Sequence, residues 1–151
     1  MKRKMFFCFI VLMLVGITCL SAQMTKKQLQ DMYVGYLKAE GYQPSVDSDG
    51  DVNFTAQGQK FYIDVWEKDL QIFRIMLSGF LDIGSDRQKA LEAATRVTAT
   101  SMVARTYIAS NNKVQIDAFI FIGKPDDFKL HIKRMIDVIL TARKDYLDKM
   151  K

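Results

Sequence analysis

The chain has 151 residues, of which 49% are hydrophobic and 26% charged, enough for one globular domain and too apolar for a disordered one. Its formal charge of +5 overstates the basic character of the folded part, because Lys2, Arg3 and Lys4 lie at the extreme N-terminus. Without those three, 19 basic residues face 17 acidic ones, a balance of +2 that gives no electrostatic footprint for nucleic acid.

Those three cations open a leader. Met5 to Leu20 is an apolar stretch, and Leu20-Ser21-Ala22 ends on a small residue, so residues 1–22 read as a secretory signal peptide cut before Gln23. A retained membrane anchor is the competing reading. The apolar run is shorter than the roughly 20 residues that cross a bilayer, and Gly16 and Thr18 weaken it. Lipidation at Cys19 is a weaker alternative, because Gly16-Ile17-Thr18 is a poor lead-in. Both cysteines, Cys8 and Cys19, belong to the leader. The remaining 129 residues therefore have no disulfide and no thiolate nucleophile, and must be held by their core. The expected location is periplasmic or secreted, with no membrane contact once the leader is cut.

The first helix is expected from Thr25, with Gln28 completing a capping box. Leu29, Met32, Tyr33, Tyr36 and Leu37 form its apolar stripe, and Gly41 ends it. A meander follows. Tyr42 to Asp47 reads as an edge strand because of Pro44, and Asp49-Gly50 marks a hairpin turn. Val52 to Ala56 alternates as a half-buried strand does, Lys60 to Trp66 is the next strand, and Gln71 to Leu77 the fourth. A second helix is expected from Ser85 or Asp86, with Ala90, Leu91, Ala94, Val97 and Thr98 facing inward. Met102 to Ala109 and Val114 to Ile122 read as a further strand pair. Gly123 to Asp127 opens the last helix, whose stripe is Phe128, Ile132, Met135, Ile136, Ile139 and Leu140. The fold class is thus α+β: an antiparallel sheet of five or six strands with three helices, in the order α-β-β-β-β-α-β-β-α.

Chemistry is sparse in this pattern. Asp47, Asp49 and Asp51 suggest calcium at first, but Gly50 comes at the fourth position of the run and no Glu falls at the twelfth, so a hairpin turn explains them and no metal or cofactor is expected. His131, the single histidine, lies off the last helix's apolar stripe without a nucleophile motif to serve. Lys129, Lys133, Arg134, Arg143 and Lys144 are interleaved with acids and read as a solvated face. No catalytic residue is assigned and the chain is not read as an enzyme; a hydrolase with an unrecognised site ranks last.

The informative pattern is on the sheet. Phe54, Phe61, Ile63, Val65, Phe73, Ile75, Leu77, Ile116, Ile120 and Ile122 share one phase and should face the core. The opposite phase should be polar if it faces water. Instead it carries Tyr62, Trp66, Ile72, Met76, Phe119 and Phe121, interrupted by Asp64, Arg74, Gln115 and Asp117. Such a face suits a protein partner or a second copy of the chain, provided that no helix covers it. A small-molecule or lipid carrier is the alternative use of the same apolar surface.

The element order, together with "EGYQPSVDSDGDVNF" and "GQKFYIDVWEKDLQIFRIML", resembles the bacterial YbjN-type family, whose fold is like that of type III secretion chaperones. The resemblance spans about residues 25–147. It implies a non-enzymatic, often dimeric binding domain with chaperone-like or regulatory roles. Relatives of that type are cytoplasmic, whereas this chain carries an export leader.

Overall fold

A computed structural model describes residues 24–151. The leader and both cysteines lie outside the described residues. Helix α1 spans Lys26–Ala39, and its capping box is present: the Thr25 hydroxyl accepts from the Gln28 N–H, and the Gln28 side chain accepts from the Thr25 N–H. Strands β1 (Ser45–Val46), β2 (Val52–Ala56), β3 (Gln59–Ile63) and β4 (Ile72–Asp82) follow, then α2 (Arg87–Thr100), β5 (Ala104–Ile108), β6 (Lys113–Phe121), a 3₁₀ turn at Pro125–Leu130 and α3 (Ile132–Met150). The six strands form one antiparallel sheet in the order β1-β2-β3-β4-β6-β5. The architecture is the expected α+β one, in the expected order.

Alternation sorts the sheet into two faces. Val52, Phe54, Phe61, Ile63, Phe73, Ile75, Leu77, Val114, Ile116 and Ala118 are buried on one of them. They join a single core with Leu29, Tyr33 and Leu37 of α1, Ala90, Ala93, Ala94 and Val97 of α2, and Ile132, Met135, Ile136, Ile139 and Tyr146 of α3. Phe128 of the 3₁₀ turn packs edge-on to Tyr33 with centroids 4.8 Å apart, tying α1 to the turn that precedes α3. All three helices thus share one side of the sheet.

Several boundaries differ from the sequence expectation. β1 shrinks to two residues: the Tyr42 N–H is bonded back to the Leu37 carbonyl at the end of α1, Pro44 has no N–H to give, and on the other side Asp47 Oδ1 accepts the N–H groups of Asp49, Gly50 and Asp51, each at 3.0 Å, and closes the turn. α1 braces this turn: the Lys26 ammonium donates to the Asp49 carbonyl and the Gln30 amide to the Gly50 carbonyl, both at 2.8 Å. Gly50 has φ +91°, and a Cβ there would lie 2.6 Å from the Lys26 side chain. The three acids are therefore consumed by a turn. β4 runs five residues past Leu77, because its pairing with β6 slips between Leu77 and Leu81 around Gly79 at φ +59°. Leu91, expected inside, is exposed; Ala93 takes its place on the buried stripe of α2. The last helix starts later than expected, at Ile132, with Pro125–Leu130 forming a separate 3₁₀ turn before it.

The free edges of the sheet are managed differently. β1 offers two residues only, too short a template for an added strand. The outward edge of β5 is sealed by α2, where the Thr98 hydroxyl accepts from the Thr106 N–H at 2.8 Å and donates to the Thr106 carbonyl at 3.0 Å.

Candidate functional site

With the helices on one side, the other side of the sheet carries no helix among the described residues. Every residue singled out from the sequence falls on it. Tyr62 of β3 pairs with Met76 of β4, Ile72 of β4 with Phe121 of β6, and Arg74 with Phe119. The Asp64 N–H donates to the Arg74 carbonyl at 3.2 Å, extending the β3–β4 register by one step. Burial alternates on through Val65, which is buried, and Trp66, which is exposed, so Trp66 keeps the phase of Tyr62 and Asp64. Trp66, expected inside a strand, sits instead where β3 gives way to a turn, with the Asp69 N–H on its carbonyl. Exposure rises toward this end of the sheet: Tyr62, Ile72 and Met76 are half-buried, whereas Phe119 is 37% exposed, Trp66 48% and Phe121 76%. The Phe119 and Phe121 rings meet edge-on with centroids 6.5 Å apart.

The sequence pattern missed what organises the middle of this face. Asp117 is fully buried although no helix among the described residues lies above it. Two guanidinium groups close over it. Arg74 donates through Nε at 2.9 Å and through its terminal nitrogen at 2.5 Å, and Arg105 donates to both carboxylate oxygens at 2.8 and 2.6 Å. Arg74 also reaches Asp64 and the Tyr107 hydroxyl, each at 3.3 Å, and Arg105 lies over the Phe119 ring at 5.0 Å from its centroid. Burial works against the Arg74 charge, but the hydrogen bonds and attraction of Asp117 outweigh it and hold the guanidinium above its ordinary value. The Asp117 hydrogen bond raises Arg105 likewise, and burial raises the Tyr107 phenol. The sequence cue was present: Arg105 and Asp117 are cross-strand partners, as are Asp117 and Met76. Reading it required the β5–β6 register, which an unaligned sequence does not give.

The face is thus a charged band, Asp64–Arg74–Asp117–Arg105, with Tyr62 and Met76 on one side and Trp66, Ile72, Phe119 and Phe121 on the other. It holds no arrangement of nucleophile, base and orienting group. His131 is exposed at the N-terminal end of α3, away from this face, and no group of three or more His, Cys, Asp or Glu among the described residues could hold a metal ion. No helix among the described residues is long and apolar enough to cross a membrane.

A sheet with one bare face and three helices on the other defines a small α+β layered domain. No family model matches the chain, and no curated protein matches it. Solved structures do share its fold. The crystal structure of YbjN from E. coli superposes with a TM-score of 0.55 at 10% identity, covering 74% of this chain and 86% of that one. An uncharacterized protein from Methanothermobacter thermautotrophicus superposes at 0.54 with 12% identity, covering 82% of this chain and 99% of that one. At these identities the likeness is one of fold.

Proposed function

We propose that this chain is an exported, non-enzymatic protein-binding module that self-associates through the open face of its sheet. One observation carries the reading: the face that no helix among the described residues covers bears Trp66, Phe119 and Phe121 exposed at one end, beside a fully buried Asp117. A sheet face meant only for water alternates polar residues. Apolar rings grouped around an internally neutralised ion cluster suit a surface that becomes buried, with rings supplying area and charges fixing register. The cluster has two positive and two negative members, so it selects no strongly charged partner and is compatible with a second copy of itself.

Static light scattering of the exported protein tests this. A dimer is expected, reverting to monomer in the Trp66→Ser, Phe121→Ser double variant while circular dichroism and melting stay near wild type, because both side chains are solvent-exposed in the isolated domain. A wild-type monomer at high concentration that also captures no partner by crosslinking contradicts the reading.

A further inference from the structure

At the same end of the sheet, on its helix side, the strands do not finish together. β5 begins at Ala104, which pairs with Ala118, whereas β6 continues to Phe121 along β4. The chain bends at Met102 and Val103 as it leaves α2. Phe119 stands in register opposite Val103, whereas Ile120 and Phe121 have no strand partner on that side. The Ile122 N–H bonds to the Gln71 carbonyl on the β4 side at 2.8 Å, and this fixes the parity: the main-chain groups of Phe119 and Phe121 point the other way, those of Phe119 toward Val103 and those of Phe121 toward the gap. No loop or side-chain hydrogen bond among the described residues reaches the Phe121 main chain. Beside the gap lies a groove of about 460 Å³ lined by Met102, Val103, Ile120, Met135 and Val138, with His131 and Arg134 at its rim. Met102 is 99% exposed and Leu130, at the mouth of α3, 79%. The neighbouring cations Lys129 and Lys133 are paired with Asp126 and Glu40; Arg134 forms no ion pair among the described residues.

We propose that this slot takes an extended polypeptide segment of a partner protein, which lies along Phe119–Phe121 as a short added strand, sets an apolar side chain over Ile120 and Met135, and directs an acidic side chain on the same face of the segment to Arg134. Each part of the slot selects one property of that occupant. Unpaired strand main chain calls for another main chain, which a lipid or a folded surface does not supply. Ile120 points into the groove while Phe119 and Phe121 point to the open face, so an added strand presents alternate residues to the groove. The lone guanidinium at an apolar rim is complementary to a carboxylate held two residues from an apolar side chain. The site shares Phe119 and Phe121 with the open face through their main chain, and uses neither Trp66 nor the ion cluster.

Titration of isotope-labelled exported protein, followed by amide chemical shifts, decides it. The probe is an acetylated and amidated heptapeptide alternating threonine with leucine, glutamate and leucine. Saturable shifts are expected at Phe119 to Phe121, Met102, Val103 and His131 to Val138. Arg134→Glu is expected to weaken binding about tenfold, as is replacing the probe's glutamate by lysine. Met102→Asp, at a position too exposed to affect folding, also weakens it, and Trp66→Ser leaves it unchanged. No shifts at millimolar peptide, shifts confined to Tyr62, Trp66 and Met76, or equal affinity for the lysine peptide overturn the proposal. So does saturation of the groove by dodecanoate that the peptide cannot displace, or the same shifts appearing on raising protein concentration alone.

Discussion

Asp117→Asn perturbs the open face at its centre. The carboxylate has no exposed surface and accepts four hydrogen bonds from two guanidinium groups. An amide oxygen can keep one or two of these, but its NH₂ group meets donors, and the negative charge that holds Arg74 and Arg105 together disappears. Breaking a buried ion pair from one side costs about 3–5 kcal/mol when the orphaned partner cannot reach water. Here it partly can: the Arg74 side chain is 27% exposed and that of Arg105 51%. The expected loss is therefore about 2–3 kcal/mol, near the value for charged hydrogen bonds lost without full burial of the survivor. Arg74→Met should cost about 2 kcal/mol and Arg105→Met, at the more exposed end, no more than about 1 kcal/mol. Urea unfolding of the three variants at 0.1 and 0.5 M salt gives the order directly. The Asp117–Arg74 part should persist at high salt, because a buried pair is poorly screened. A loss below about 0.5 kcal/mol for Asp117→Asn, or an order led by Arg105→Met, would refute the cluster as the organiser of this face.

Other consequences are more local. Thr98→Val leaves the Thr106 N–H and carbonyl without partners at the β5 edge, costing about 1–3 kcal/mol and abolishing hydrogen-exchange protection at Thr106. Burial pushes the Asp51 carboxyl above its ordinary value, although it accepts the Val65 N–H at 3.0 Å. The folded chain then holds this proton more tightly than the unfolded one. Its contribution is present below the ordinary carboxyl value and is lost as pH rises through the raised one, so Asp51→Asn should flatten the fall in stability from pH 4 toward neutrality, measured by denaturant unfolding. N-terminal sequencing of protein recovered from outside the cytoplasm should begin at Gln23; retention of Met1 in a membrane fraction would contradict export by a cleaved leader.

The fold was legible where one local signal decided each element. The Thr25 box, the Asp49-Gly50 turn and the period-two runs of β2, β3 and β4 each carry their own physics, and they combine into the observed order. What was hidden depends on partners distant in sequence. The length of β1 is set at one end by the Tyr42 N–H returning to the Leu37 carbonyl of α1 and at the other by how Asp47 folds back on its own turn. The extension of β4 depends on a slip against β6, which lies more than thirty residues on. Leu91 and Ala93 differ by two positions on a helix whose small residues leave the inward direction ambiguous. The phase of the open face could be read from alternation alone, which is why Tyr62, Trp66, Ile72, Met76, Phe119 and Phe121 all fall on it. Its ion cluster could not, since Arg74, Arg105 and Asp117 come from three strands and converge only through the β4-β6-β5 order.

Trp66 is the only tryptophan of the chain, and it stands half-exposed at the end of the face assigned to self-association. Its emission, followed while the protein is diluted from the highest attainable concentration, reports on that face alone. Burial against a second copy predicts a blue-shifted maximum at high concentration that moves to the red on dilution, with a midpoint matching dimer dissociation by light scattering. A maximum that stays at the solvent-exposed position at every concentration, in a sample that scatters as a dimer, would place the contact elsewhere on the molecule.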